Sequence, residues 1–348
     1  MTHTADRVDS LWSAVVAGDE YAAAGIVIAA LDGGMPAEDV LLDVIAPVQA
    51  KVGLEWAANR ISVAQEHAAT AINDRVIAAM AHHPAARVEP RLGRVIVACI
   101  DGEWHALPAR LLAEVLRLRG WRVEFLGAKV PTQHLIAHLH LTGPDAVALS
   151  SSIATRLPTA HATITACQAA GVPVLAGGAA FGGNGEYARL FGANAWSPDA
   201  RSAADLLAEG LPKLTVNAHQ PIDDLPHLAD QEYTMVARTA RSLVRQTMAD
   251  LAERIPAMRQ YTSQQVDRTA EDIAHIVDFL ATALYTDSVE LFTGFLRWTA
   301  DILAARGVSG RFLLPALDVL ALQLKDFTRA SRFIKEAGDD LDRALDPA

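Results

Sequence analysis

Cysteine is nearly absent: the 348-residue chain has two, Cys99 and Cys167, in different predicted elements. Such a pair reads as two buried thiols, which sets aside the small disulfide-stapled scaffolds. Long apolar runs are absent too, and none is sufficient to cross a bilayer. Met1 to Asp9 carry charges where a signal peptide would carry its apolar core, so a cytoplasmic protein is expected. Positive charge is in deficit, with 30 Lys and Arg against 41 Asp and Glu and a net charge of -11. A molecule of that sign is repelled by phosphate backbones, so direct DNA binding is not expected. There is no internal repeat and no low-complexity tract. Nothing resembles a nucleophile elbow, a phosphate loop or a radical-mutase barrel, and substrate turnover is not expected. What the chain has in quantity is apolar residues, 51% of the total, over a length that permits two or three domains with their own cores.

Three patterns follow one another. Residues 1–88 read as a four-helix bundle. Leu11, Trp12, Val15 and Val16 share a helical face, Asp19 can cap a helix ending at Gly33-Gly34, and Pro36 suits a helix start. Ser62 followed by Gln65 has capping-box spacing. Over residues 89–212, short apolar runs at Arg94 to Ile100, Arg122 to Leu126, Ala146 to Ser150 and Val172 to Ala176 alternate with helical stretches such as Leu107 to Arg119. That alternation predicts a Rossmann-like, doubly wound α/β domain, whose ligands bind outside the carboxyl ends of the strands. Residues 213–227, with Pro221 and Pro226, look like a linker. Residues 228–348 read as all-α, with long helices over Glu232 to Arg254, Val266 to Ala283, Val289 to Arg306 and Arg311 to Ala337.

The loop after the first predicted strand, Asp101-Gly102-Glu103-Trp104-His105-Ala106-Leu107-Pro108, holds a histidine two residues after a carboxylate. A metal-bound imidazole usually gives its second N–H to such a carboxylate, and Glu103 or Asp101 could accept it from His105. A histidine in an ordinary strand-to-helix turn would look the same. The surroundings add to the pattern. Ser150-Ser151-Ser152 follow the third strand and Gly177-Gly178 follow the fourth. In order and spacing these elements resemble the cobalamin-binding domain shared by methionine synthase, corrinoid methyltransfer proteins and B12-dependent light sensors. The family pattern is Asp-x-His-x-x-Gly, then Ser-x-Leu, then Gly-Gly. This chain has Glu103-x-His105-x-x-Pro108, a longer acceptor and a proline where glycine would let backbone approach the nucleotide tail. The resemblance implies that His105 is the lower cobalt ligand. It also implies that the displaced dimethylbenzimidazole tail lies in a slot lined by Ser150, Ser152, Gly177 and Gly178.

In the helical segment, Trp56 is followed after nine residues by Glu66-His67. Tryptophan is often simply core. The spacing nevertheless resembles the Trp-x9-Glu-His signature of adenosylcobalamin light sensors, in which the indole shelters the upper cobalt face and the Glu-His pair contacts the deoxyadenosyl group. A carboxylate suits ribose hydroxyls, so the resemblance favours adenosylcobalamin over methylcobalamin. Some of these sensors carry a histidine beside the tryptophan that captures cobalt after photolysis. Here that neighbour is Ala57.

The last segment carries Leu280, Leu284, Phe292, Phe295, Trp298 and Leu303 at helical spacing, as a bundle or globin-like fold would. Asp272, His275 and Phe279 share a helix face, and Arg238, Arg241 and Arg245 form a stripe on an earlier helix. A tetrapyrrole site wants an apolar slot, a polar group at the pyrrole nitrogens and cations for propionates. A packing or homodimerisation bundle would use the same residues. The domain order resembles the photocobilins, in which a B12 light-sensing module precedes a bilin-binding, globin-like domain. That implies biliverdin in the C-terminal domain, held non-covalently because no cysteine follows Cys167. The resulting expectation is an adenosylcobalamin photoreceptor that signals to a downstream protein. A methylcobalamin carrier for a methyltransferase and a cobalamin-responsive regulator without photochemistry are the alternatives.

Overall fold

A computed structural model of the chain describes residues 2–212 and 225–346. Most of the expected linker, 213–224, lies outside them. Contacts divide the chain into two compact units, Met1–Ala218 and His219–Ala348.

The first unit begins with helices α1 (Thr2–Ala17) and α2 (Glu20–Asp32). Leu11 and Val15 of α1 are fully buried. Asp19 caps α2 by accepting from the backbone N–H of Ala22, as its position suggested. A short helix α3 (Ala37–Asp39) runs through a π-helical turn (Val40–Ile45) into α4 (Ala46–Ala57). The wider winding of that turn draws Val40, Leu41, Val44 and Ile45, all fully buried, closer to one face. Helix α5 (Val63–Met80) opens on the expected capping box of Ser62 and Gln65. Ala69, Ile72, Val76, Ile77 and Met80 of α5 complete the bundle core.

Strands β1 (Arg94–Cys99), β2 (Arg122–Gly127), β3 (Ala146–Ser150), β4 (Val174–Gly177) and β5 (Ala195–Ser197) form one parallel sheet. Between them run α6 (Leu107–Leu118), α7 (Thr132–Thr142), α8 (Leu157–Ala169) and α9 (Glu186–Leu190), and α10 (Ala200–Glu209) follows β5. The strand order among the described residues is β2-β1-β3-β4-β5. Order reverses between β1 and β3, so the crevice at their carboxyl ends is the natural ligand position. β1 and β3 are almost wholly buried, which explains why they read as unbroken apolar runs. The fourth strand starts two residues later than expected. The Val172 N–H closes the end of α8 on the Cys167 carbonyl, and Pro173 has no N–H to give a ladder. β5 was not foreseen.

The bundle and sheet share one continuous apolar core. Two arginines join them at the surface. Arg119 pairs with Glu38 at 2.8 Å and with Asp205, and Arg201 pairs with Asp39 at 3.0 Å and Asp43 at 2.8 Å.

The second unit is helical throughout its described residues: α11 (Glu232–Arg254), α12 (Ser263–Thr286), α13 (Val289–Ala305), α14 (Leu314–Gln323) and α15 (Thr328–Leu345). Two boundaries correct the sequence reading. Leu225 is buried, Pro226 opens a 3-10 turn and His227 Nε2 meets the Tyr285 carbonyl at 2.8 Å, so residues 225–227 belong to this unit and not to a linker. The single helix expected over Arg311 to Ala337 is a 3-10 turn (Gly310–Leu313) followed by α14 and α15. Arg329 and Ala330, at the start of α15, give their N–H groups to the buried Glu232 carboxylate at 3.0 and 2.7 Å, which fixes that break from outside the segment. No described helix is long and apolar enough to cross a membrane.

Candidate functional site

The loop from β1 to α6 holds a carboxylate saturated with donors. Glu103 is fully buried. Its Oε1 accepts from the His105 backbone N–H at 2.9 Å and meets His105 Nδ1 at 2.6 Å. Its Oε2 accepts from the N–H groups of Ser152 at 2.7 Å and Ile153 at 3.0 Å, and from Ser151 Oγ at 3.3 Å. Glu103, and not the alternative Asp101, is therefore the partner of His105. Burial works to raise the Glu103 pKa. The bonds from His105, Ser152 and Ile153 outweigh it and bring the carboxyl down to about 2. With Nδ1 turned to Glu103, Nε2 is the ring nitrogen left for another partner, on a side chain about one-third exposed. Trp104 stacks on the imidazole, with ring centroids 3.9 Å apart. Cys99 Sγ–H points at the His105 carbonyl at 3.8 Å, and burial together with the charge of Glu103 pushes its thiol up to about 12.

Beside this loop, a slot opens at the carboxyl ends of β3, β4 and β5 against α6. Ser150, Gly177, Gly178, Ser197 and Asp199 line it, with Leu112 of α6 as an apolar wall. Gly178 has φ +97°, and a Cβ there would run into the Ser151 backbone carbonyl. Three of the four expected slot residues are present. Ser152 is not a lining residue, and its N–H is spent on Glu103. Ser197 and Asp199 were missed because the first ends the unforeseen β5 and the second follows it. Pro108 sits in the first turn of α6, where its missing N–H costs nothing, and it is exposed.

A short connection joins α4 to α5 and places Trp56, in the last turn of α4, at the same end of the bundle as Glu66. That connection turns through Asn59 at φ +57° and is tied by the Arg60–Glu55 ion pair. Trp56 is half-buried against the core, Glu66 is partly exposed and His67 is exposed. Glu66 Oε2 meets His67 Nδ1, and Glu66 Oε1 accepts from Thr70 Oγ1 at 3.1 Å.

In the second unit, Asp272 and His275 are exposed one turn apart on α12. Phe279, a turn further on, stacks on Phe295 of α13 with centroids 3.8 Å apart, and Trp298 beyond it is half-exposed. Arg238 and Arg241 are exposed on α11, on the face opposite its buried Val236, Leu243 and Thr247. The charges that act on Asp272 are those of His275, Glu271 and Arg268.

The residues of the first unit suit a corrinoid: one presented imidazole nitrogen, a narrow slot with a glycine floor, and an indole with a carboxylate on the helical side. Comparison with known proteins agrees. Residues 93–203 match the family model described as a B12 binding domain, and residues 7–80 match a second B12 binding domain model. The first unit thus carries two matched parts, a helical and an α/β B12 binding domain. Its relatives include the HTH-type transcriptional repressor CarH of Myxococcus xanthus, 34% identical over 144 residues, which cover 40% of this chain and 46% of that protein. The HTH-type transcriptional repressor CarA of the same organism is 33% identical over 124 residues, covering 34% and 41%. The matched parts thus span less than half the length of either relative. In fold, the chain is similar to the monomethylamine corrinoid protein of Methanosarcina barkeri, with a TM-score of 0.51 and 20% identity over 59% of this chain and 98% of that one.

Proposed function

We propose that the chain is a light-responsive signalling protein whose ligand is adenosylcobalamin. In this reading residues 1–88 cap the upper face of the corrin, residues 89–212 hold its lower face, and His105 is the lower cobalt ligand. The observation that carries it is the Glu103–His105 pair: a buried carboxylate that fixes one ring nitrogen as donor leaves the other able to bind metal. Bound adenosylcobalamin would supply a cobalt–carbon bond that light can break. The chain's own residues prepare the site. Ser150, Gly177 and Gly178 leave a slot for the nucleotide tail. Trp56 offers an apolar plate, and Glu66 offers acceptors to ribose hydroxyls. Ala57 has no ligating side chain, and His67, beside Glu66, would offer an imidazole in its place. The Glu66 acceptors favour this over a methylcobalamin carrier, because a methyl group has no hydrogen to donate to a carboxylate.

The test is an absorption spectrum of the full chain loaded with adenosylcobalamin in the dark, then illuminated. A spectral change under light is expected. Stable binding without any change under light would leave a cobalamin-responsive regulator and remove the photoreceptor reading. In the dark, His105→Ala should move the spectrum to a base-off form, and an unchanged spectrum would remove His105 as the ligand.

For the second unit we propose a biliverdin site on the face that carries Asp272, His275 and the Phe279–Phe295 stack. The pigment would be held without a thioether, since no cysteine follows Cys167. Arg238 and Arg241, exposed on α11, would be the cations offered to its propionates. The full chain mixed with biliverdin should retain a red-absorbing pigment through a desalting column. Passage of free pigment at concentrations where cobalamin is retained would sink the idea.

A further inference from the structure

Behind Glu66 runs a line of polar side chains for which the packing of the bundle gives no reason. Asn73, on the inner face of α5, is fully buried among Ile72, Val76 and Ile77. Its Nδ2 donates to Gln49 Oε1 of α4 at 2.8 Å. Gln49 Nε2 donates to Thr70 Oγ1 at 2.8 Å, and Thr70 Oγ1 donates to Glu66 Oε1 at 3.1 Å. All three bonds run in the same direction and end on the carboxylate. Because the Thr70 hydroxyl accepts from Gln49, its own hydrogen is directed to Glu66, and each bond polarises the next. The far end of the line is costly, since Asn73 Oδ1 is buried with no hydrogen-bond partner. Apolar residues at positions 49, 70 and 73 would close the α4–α5 seam without that cost.

We infer that Thr70, Gln49 and Asn73 are positioning residues that set ligand specificity: they hold one oxygen of Glu66 in place so that the carboxylate presents a fixed edge to the hydroxyls of a nucleoside-bearing upper ligand. This rests on the reading of Glu66 as the group that recognises the adenosyl moiety. A carboxylate free to rotate would lose orientation entropy each time it bound a diol, whereas a tethered one has lost it already. The line also ties recognition to the helix seam, because Gln49 belongs to α4, the helix that ends in Trp56. The indole and the carboxylate are thereby held in one register.

The experiment measures dissociation constants of the full chain for adenosylcobalamin and methylcobalamin in the dark. The variants are Glu66→Gln, Thr70→Val, Thr70→Ser, Gln49→Leu and the double variant Glu66→Gln/Thr70→Val, each checked by thermal melting. Thr70→Val keeps the shape and removes the hydroxyl. It should weaken adenosylcobalamin by about tenfold, equivalent to ~1.4 kcal/mol, and leave methylcobalamin within about twofold. Thr70→Ser should restore the preference. Gln49→Leu should reproduce the loss and serves as the second probe if Thr70→Val does not fold. On the Glu66→Gln background, Thr70→Val should add nothing. Equal weakening of both cobalamins by Thr70→Val and Gln49→Leu, no weakening of either, or a full additional loss on the Glu66→Gln background would overturn the inference while leaving Glu66 its role. A Glu66→Gln variant with an unchanged preference would instead overturn the reading of Glu66, and the positioning line would fall with it.

Discussion

Replacing Glu103 by Gln keeps the volume and removes one acceptor oxygen, and the geometry allows only two placements of the new amide. With the NH2 turned towards His105, it faces the backbone N–H and Nδ1–H, which lie at 2.9 and 2.6 Å from Oε1 in the native chain. The ring can then keep a bond only by becoming an acceptor at Nδ1, which moves its proton to Nε2 and blocks that nitrogen as a ligand. With the NH2 turned the other way, it faces the N–H groups of Ser152 and Ile153, and only the Ser151 hydroxyl can rotate to suit. In either case two N–H donors lose a charged acceptor. Each such bond contributes about 1.5–3 kcal/mol, so two are worth ~3–6 kcal/mol before the loop relaxes. The lower figure corresponds to a fall of about 6–12 °C in melting temperature for a domain of this size. The carboxyl, brought from 4.5 down to about 2 in the folded chain, also contributes stability that is complete above pH 4.5 and is lost as pH falls through about 2. Glu103→Gln should flatten that part of the acid profile. Circular dichroism melts between pH 2 and 7, with the dark cobalamin spectrum at neutral pH, measure all three effects. A variant that melts within about 1 °C of the parent and keeps the imidazole-bound spectrum would refute the argument, because the five bonds would then carry neither stability nor ring orientation.

Two smaller predictions follow from the same loops. Gly178→Ala places a Cβ against the Ser151 carbonyl at a positive φ, so it should lower the melting temperature and weaken cobalamin retention on a desalting column, and unaltered retention would show that the slot is not used. Cys99 and Cys167 have thiols pushed up to about 12, by burial for both and by the charge of Glu103 for Cys99. The native chain should resist thiol alkylation at pH 8 and react after denaturation. The raised pKa values favour the folded state up to the unfolded value of 9, and that contribution is lost as pH climbs towards 12. Rapid labelling of the folded chain at pH 8 would contradict this.

Much of the fold was legible because the signals are local. Asp19 caps its helix through a residue three positions on, and Ser62 and Gln65 satisfy each other across the same spacing. β1 and β3 are marked by their own apolar runs. The misses are of another kind. β5 is only three residues long, too short for any periodicity, and it is a strand because β4 offers it a ladder. The break before α15 follows from Glu232, 97 residues before Arg329, capping the new helix across the unit. Helical periodicity within residues 311–337 carries no trace of that contact.

The candidate site divides along the same line. Glu103 and His105 are two residues apart, so a pattern on one loop was sufficient to single them out. The partners that make Glu103 an anion at its depth lie at positions 151 to 153, at the end of another strand, and one of them, Ser152, is a residue that the resemblance placed in the slot. Ser151 and Ser152 serve the histidine's carboxylate, while the slot is finished by Ser197 and Asp199. The serine cluster therefore couples two functions. One backbone segment both orients the imidazole through Glu103 and, through the bond from the Ser151 N–H to the Gly177 carbonyl, fixes the glycine edge of the slot. A change at Ser151 or Gly178 should thus reach His105 without touching it. If the proposed reading holds, the room for a nucleotide tail and the orientation of His105 would be set by the same few hydrogen bonds.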